Sequence, residues 1–509
     1  MIAVPSVSAV DRHRQVQLRS LALFALVASL VVGVVSARLT LGGHTFTLLA
    51  LEIIVLPIIL WRWPSAGIVV LVLAATVVEQ FPFPIPTAPG TMLTDEILFF
   101  TSLTDGVGVS GVLINPLELT MAVILLVWLV KVARDRAWSA PRSPVAFGFV
   151  LLFGCVLMAA ILGHLHGGDV RESLREARPW VYLTGLYFLG SMLLTSRQAI
   201  WAVLWALVIG TGIKGIQGVY ESIRLLDLQP KPDYILSHEE AVFFSLFIFL
   251  TAMLWMFGFR GRLRAVATVL LPGVIYTDLA NNRRTAWLML MAGTLVILVL
   301  AWIRLPERRA MVRKVAIILG VASLVYLPLF WNNSGLLGEP ANAIRSAFAP
   351  STRDFLSNEY RRYEDANLKA DIKRSTPFGT GFGLVIDYTT FPFYDLTATV
   401  TSLRYEPHNS ILYVWLRMGS LGALAFWFLI GAAFVAACRL ARGPDRQFAL
   451  LGTFIICALV AYLIEGYYDL GLSWFRVAVC IGCLLGALEA AGRLQTSAQE
   501  GKAERLVAA

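Results

Sequence analysis

The sequence predicts an all-α, polytopic integral membrane protein with about 12–14 transmembrane helices and one large extramembrane loop that contains helix. Three observations predict it. The 509-residue chain is 58% hydrophobic and only 15% charged, where an ordinary soluble protein carries about 25% charged residues. Apolar runs of about 17–25 residues, the length that crosses a bilayer as helix, recur along the chain. Lys and Arg concentrate in the short connectors between these runs, where they set membrane orientation. The net charge of +9 therefore needs no nucleic-acid partner, because no basic soluble domain carries it.

The first apolar run, 20–36, follows Arg12, Arg14 and Arg19. No small-residue cleavage site leads from it into a soluble domain, so it reads as a retained helix. Further spans are expected over 46–61, 65–80, 116–131, 144–163, 179–195, 199–220, 239–258, 264–280, 285–303, 314–330, 409–437, 447–465 and 472–490. One or two early Pro-containing segments that only dip into the membrane would give the lower count. With the N-terminus in the cytoplasm, the Arg- and Lys-rich connectors 131–142, 259–264, 304–314 and 438–446 fall inside. The same count puts 81–116, 163–180, 221–240, 281–285 and the large loop 331–407 outside. The chain thus divides into transmembrane helices over 1–330, the loop over 331–407, transmembrane helices over 408–492 and a polar inner tail over 493–509.

Within the loop, Ser351 to Arg374 is the predicted helix. Arg361/Asp365 and Asp365/Lys369 stand at i,i+4 and support an exposed helix. Phe355, Tyr363, Leu368 and Ile372 form a loose apolar stripe suited to the membrane surface. The following Pro-Phe-Gly-Thr-Gly-Phe-Gly run, 377–383, is a glycine-rich turn. No strand precedes it, which argues against a nucleotide loop. Its glycines, Gly381 and Gly383 among them, let backbone approach a polar ligand or allow a tight turn.

The five cysteines lie in or at the ends of apolar runs, so no disulfide framework is expected. Cys480 and Cys483 make a C-x-x-C inside an apolar helix, which reads as packing. Among six histidines only His164 and His166 are close in sequence, and they lack further ligands. Neither a metal nor a cofactor is expected.

Two short motifs carry the chemistry. In Pro407-His408-Asn409-Ser410 a histidine stands where the polar loop meets an apolar helix. Imidazole suits proton transfer near neutral pH. Asn409 is placed to cap that helix or to orient His408. Gly419-Ser420-Leu421-Gly422 follows a few turns on. In Asn281-Asn282-Arg283-Arg284-Thr285 two adjacent cations occupy an outer link, where the orientation bias disfavours them. Arginine binds phosphate oxygens bidentately and stays charged. Headgroup contact is the plainer alternative for this pair.

Arg284-Thr285-Ala286-Trp287-Leu288, the long loop, the 377–383 turn and His408-Asn409 occur in an order that resembles the O-antigen ligase and polysaccharide polymerase family, over roughly 210–440. This sequence has Arg283 where the family pattern has Ser, so Arg283 and Arg284 compete, and Arg284 is the better match. The family also uses an arginine well upstream. Arg224 is the assigned position, with Lys214 and Arg178 as competitors.

The resemblance implies a GT-C-like fold in the bacterial inner membrane, with a site facing the periplasm. It implies a glycosyltransferase whose donor is a glycan on undecaprenyl diphosphate. The acceptor would be a saccharide hydroxyl, on lipid A core for a ligase or on another repeat unit for a polymerase. Transfer would be metal-independent and inverting, with membrane lipid as the other partner. His408 would be the general base and Arg284 the diphosphate ligand. Arg283, Arg224, Asn409, Gly381 and Gly383 would line the substrate. The opposing class is a membrane transporter or channel for a small solute or lipid-linked glycan. Transporters place ionisable groups near the midplane within paired halves. Here Glu52 and Lys214 are the more interior charges, and no paired halves are evident.

Overall fold

The computed structural model describes residues 55–80, 99–102, 113–136, 141–225, 234–333, 335–375, 377–389 and 401–507. The expected first span at 20–36, the arginines before it, Glu52 and most of 46–61 and 81–116 lie outside the described residues. Among the described residues the regular structure is helical and no β-strand occurs. The helices are α1 Ala66–Val77, α2 Pro116–Asp135, α3 Pro144–Leu165, α4 Val170–Leu193, α5 Arg197–Arg224, α6 Glu240–Met256 and α7 Arg262–Ala280. They continue as α8 Arg284–Arg304, α9 Arg309–Phe330, α10 Glu339–Arg345, α11 Thr352–Arg374, α12 Ser410–Arg442, α13 Arg446–Tyr468 and α14 Phe475–Val507. Nine helices among the described residues are long and apolar enough to cross a membrane. The protein is an all-α, polytopic membrane protein.

The chain forms two compact units. One comprises 1–67 with 92–138, the other 68–91 with 139–509. In the first unit α2 opens on a capping box. The Asn115 side chain accepts from Glu118 N at 2.9 Å, and the Glu118 carboxylate accepts from Asn115 N at 3.0 Å. Such a cap is worth about 1 kcal/mol. At the other end of α2, Lys131 donates to the Trp61 carbonyl at 2.9 Å and Arg134 lies over the Trp61 ring.

In the second unit helices start on side-chain caps, Ser143 for α3, Asp169 for α4, Ser196 for α5 and Asp445 for α13. Small residues then set how closely they pack. Gly482 of α14 sits on the Leu183 backbone, and Gly486 meets Gly190 of α4. A Cβ at either position would collide, so these glycines let the two backbones approach, as small residues do between membrane helices. Cys480 and Cys483 are buried in the same helix. α5 and α7 pack alike, with Gly215 and Gly218 against Val274 and Thr277, and Thr277 Oγ1 donates to the Gly215 carbonyl at 2.7 Å.

Three expectations take a different form. The connector expected over 163–180 is mostly helix, because α4 already starts at Val170. Asp169 caps it, and Glu172, Arg175 and Glu176 find partners within the protein. The loop helix α11 matches its expected range closely, but its apolar stripe packs on the protein. Leu368 is fully buried with Ile386 and Leu416, and Ile372 packs beside them, while Phe355 stays exposed. Finally, Lys369 pairs with Asp365 at 3.7 Å, whereas Arg361 reaches Asp469 at 3.9 Å.

Candidate functional site: two histidines and a loop helix

The site is built around a break in α12. Gly419 has φ 67°, ψ −169° inside that helix, a conformation that costs least for glycine. The break frees carbonyls and amides that a straight helix would pair. The 377–383 turn pairs them. Thr380 N donates to the Leu416 carbonyl at 2.8 Å, Gly381 N to the Arg417 carbonyl at 3.1 Å, and Leu421 N to the Pro377 carbonyl at 3.4 Å. Gly379, Gly381 and Gly383 all have positive φ. A Cβ on them would strike the main chain of Gly419, Gly163 and Asp169 respectively. The spacing of these glycines thus serves close approach of the turn to α3, α4 and α12.

Arg417 locks this junction. It is buried and pairs with Glu176 of α4 at 2.7 Å. Its guanidinium also donates to the carbonyls of Leu384 (2.6 Å), Tyr405 (2.9 Å) and Gly381 (3.3 Å). Glu176 accepts from Gly383 N as well. Next in the chain, Glu406 is buried and held by Arg175 at 3.1 Å. The segment 405–407 is therefore fixed before it reaches His408.

His408 meets the loop helix. Its backbone N donates to Glu364 Oε2 at 2.9 Å, and its Nδ1 lies 3.1 Å from the same oxygen. The Tyr388 hydroxyl also donates to Glu364 at 3.4 Å, and the Tyr360 ring stands edge-on to the imidazole. Asn409 caps α12 by accepting from Leu412 N at 3.1 Å, and its amide donates to Asp365 of α11 at 3.2 Å. Ser410 Oγ donates to the Asp469 carbonyl at 3.0 Å, which ties the start of α12 to the end of α13.

A second imidazole acts on the same carboxylate, Asp469, as the first. His238, in the segment before α6, points Nδ1 at Asp469 Oδ2, 3.1 Å away. Tyr234 and Trp474 stand edge-on to its ring, and Arg283 lies over Tyr234 at 4.4 Å. Arg284, opening α8, turns to the loop helix instead. Its Nη1 is 3.3 Å from Asn358 Oδ1 and 3.4 Å from Asp354 Oδ1.

Electrostatics separate the two histidines. Burial works to lower the His408 proton affinity, but the hydrogen bond and charge of Glu364, with Asp469 nearby, raise it above the ordinary value, against Arg361. Burial and Arg283 lower that of His238 despite Asp469. Asp469 is pushed up by burial, yet His238, His408 and Arg361 together hold it well below the usual carboxylate range. At neutral pH Asp469 is an anion and His238 a neutral ring.

Residues 273–427 match the family model described as O-antigen ligase. The chain carries the O-antigen ligase domain. No curated protein matches the chain. The general activity that goes with this domain is glycosyl transfer of the ligase or polymerase type, in polysaccharide biosynthesis at a membrane.

The O-antigen ligase domain contains Arg283, Arg284, Gly381, Gly383, His408 and Asn409; Arg224 lies before it. The structure brings His408, Asn409 and Arg283 into one cluster with His238 and Asp469. Arg284 borders that cluster on the loop helix. Arg224 ends α5 and pairs with Glu221 at 3.6 Å. Lys214, its competitor in the sequence, is fully buried and paired with Glu79 at 2.7 Å. Gly381 and Gly383 are buried against main chain. His166 Nδ1 lies 3.2 Å from the Thr380 carbonyl. No group of potential metal ligands occurs among the described residues.

Sequence reading missed Glu364, His238, Asp469 and Arg361 as partners of His408. Glu364 falls three residues after Arg361 on a helix rich in both charges, so nothing local distinguishes it. His238 and Asp469 meet across 231 residues. The one available signal was that His238, like His408, stands just before an apolar helix.

Proposed function

We propose that this protein transfers a glycan from an undecaprenyl-diphosphate-linked donor to an acceptor hydroxyl at the periplasmic face of a bacterial inner membrane. His408 is the general base. The observation that carries this reading is the anchoring of His408 by Glu364, which occupies Nδ1 and leaves Nε2 for the acceptor hydroxyl. In the step, the acceptor oxygen bonds to the anomeric carbon while the bond from that carbon to the diphosphate oxygen breaks. The lipid diphosphate leaves with the electron pair, and the hydroxyl proton passes to His408. Attack opposite the leaving group inverts the anomeric centre. Diphosphate is a good leaving group, so neither an acid nor a metal is required.

The cations act on the charge that grows on the departing diphosphate, as preorganised electrostatic stabilisation requires. Arg283 and Arg284 are adjacent in sequence at the start of α8, and Arg361 enters from the loop helix. Arg284 is proposed as the principal diphosphate ligand, with Arg283 and Arg224 supporting it. Asp354 and Asn358 hold Arg284 until the donor phosphate takes their place. Gly381 and Gly383 serve the site through the turn that fixes α12, and Asn409 through its bond to Asp365. The loop helix packs on His408 through Glu364 and limits hydrolysis of the donor.

The test is surface-glycan analysis in cells lacking the chain, complemented with wild type, His408→Ala or Arg284→Ala. Loss of long chains with single repeats persisting identifies a polymerase. Full-length polymer stranded on the carrier lipid identifies a ligase. Wild-type glycan from both variants at normal protein level overturns the reading.

A further inference from the structure

We propose that His238 is an acceptor-binding residue that fixes which sugar hydroxyl reaches His408, by accepting a hydrogen bond from a neighbouring hydroxyl of the same ring. This inference rests on the glycosyl-transfer reading and names the acceptor subsite within it.

The two histidines have parallel architecture. Each directs Nδ1 at a carboxylate, His408 at Glu364 and His238 at Asp469. Each then projects Nε2 away from its carboxylate, because the two ring nitrogens lie on different edges of the imidazole. Their exposure differs. The His238 side chain is 42% exposed and that of His408 17%, so His238 is the more open to an entering molecule. Among the described residues nothing hydrogen-bonds its Nε2.

The tautomer follows from the partner. Asp469 is ionised and accepts, since Leu470 N already donates to its other oxygen at 2.8 Å. Nδ1 of His238 therefore carries the proton, and Nε2 bears a lone pair. Arg283 stands nearby and disfavours a second proton on the ring. A neutral imidazole with a bare nitrogen beside an arginine suits a hydroxyl donor. It does not suit the donor's diphosphate, a diester with no proton to offer at neutral pH. Tyr234 and Trp474 pack edge-on to the ring, 5.9 and 6.4 Å between centroids, and limit how it can turn.

The two rings share one electrostatic neighbourhood. His408 acts on the proton affinity of His238, and Asp469 acts on both. A pyranose with adjacent hydroxyls would present one to His408 and the next to His238. The neighbouring hydroxyl keeps its proton, so His238 selects the site of transfer without taking part in bond breaking.

The experiment uses the full-length protein in nanodiscs. The donor is lipid-linked glycan extracted from cells lacking the chain. The acceptor is titrated, either the same glycan or the core-bearing lipid of those cells. His238→Ala is expected to raise the acceptor KM about tenfold or more with kcat within about threefold, the pattern of lost ground-state binding. His238→Gln, whose amide oxygen accepts, is expected to recover part of that loss. Asp469→Asn, which frees the tautomer, is expected to raise KM in the same way. Permethylation of the product is expected to show mixed linkage positions for His238→Ala. A kcat lost with KM unchanged, as in His408→Ala, overturns the proposal. So does a wild-type KM and a single linkage in His238→Ala. If wild type transfers nothing and equals His408→Ala, the glycosyl-transfer reading has failed and this inference falls with it. Thermal unfolding of each variant separates misfolding, and a folded Gln variant without rescue counts against the proposal.

Discussion

At the residue scale, the chemistry turns on what each ionisable group is tied to. His408 must be neutral to act as base, and Glu364 holds its proton affinity above the ordinary value. Activity should therefore rise with pH through a midpoint above about 6.5. Glu364→Gln removes the charge that raises it, so the acidic limb of the pH–rate profile should move to lower pH while the maximal rate falls. His408→Ala should lower the transfer rate by roughly 10²–10⁴, measured with the same lipid-linked donor. A profile unchanged in Glu364→Gln would separate that carboxylate from the base. Arg417 illustrates the structural counterpart. It is buried with Glu176 and the carbonyls of Gly381, Leu384 and Tyr405 around the α12 break. Removing it strands a buried carboxylate, so Arg417→Met should cost about 3–5 kcal/mol in unfolding measurements and lower protein yield. In the sequence, Arg417 is the single charged residue of the apolar run 409–437. Its importance depends on Glu176, 241 residues away, and no local pattern records that distance.

At the element scale, the broken helix and the glycine turn are one device. Pro377–Gly383 was legible as a turn, and Gly419 as a glycine in a helix, but that each completes the hydrogen bonding of the other was not. Gly379→Ala should be strained twice, by its φ of 84° and by collision with Arg417 and Gly419 main chain. It should lower the thermal midpoint and loosen 377–383 in hydrogen exchange. Gly167→Ala shares a positive φ but meets open space, so it should cost less. The loop helix α11 docks partly through the His408–Glu364 pair. Because the His408 proton affinity is raised on docking, that contribution is complete below about pH 6.5 and is lost as pH rises through the raised value. Hydrogen-exchange protection of 352–374 should accordingly weaken on the alkaline side, and Glu364→Gln should remove the dependence. Protection that grows with pH would contradict this linkage. The helix itself was readable from its i,i+4 charge pattern, whereas its docking face was not. Leu368 was expected to meet the membrane surface and instead packs on Ile386 and Leu416.

At the scale of the whole molecule, buried ion pairs join helices far apart in sequence. Lys214 pairs with Glu79 at 2.7 Å, and Arg476 with Glu239 and Glu240 at 2.7 and 2.6 Å, while Arg476 Nε donates to the Ala75 carbonyl. These contacts lie directly behind His238, next in the chain to Glu239. Lys214→Met alone should destabilise by about 3–5 kcal/mol, since it leaves Glu79 buried without its partner. Adding Glu79→Met should recover much of that loss, and a double variant as unstable as the sum of the singles would show that the two act independently. That the chain is an all-α membrane protein is written in its residues, because the length of an apolar run and the scarcity of charge within it are local properties. The loop helix, the glycine turn and His408 at a helix start are written there too, because each is a short pattern of residue types. Which groups surround His408 is set by folding. Glu364 with Arg361, Asp469, and His238 come from three separate segments, and a charge in an apolar context has its role set by the partner that neutralises it, which folding supplies and composition does not.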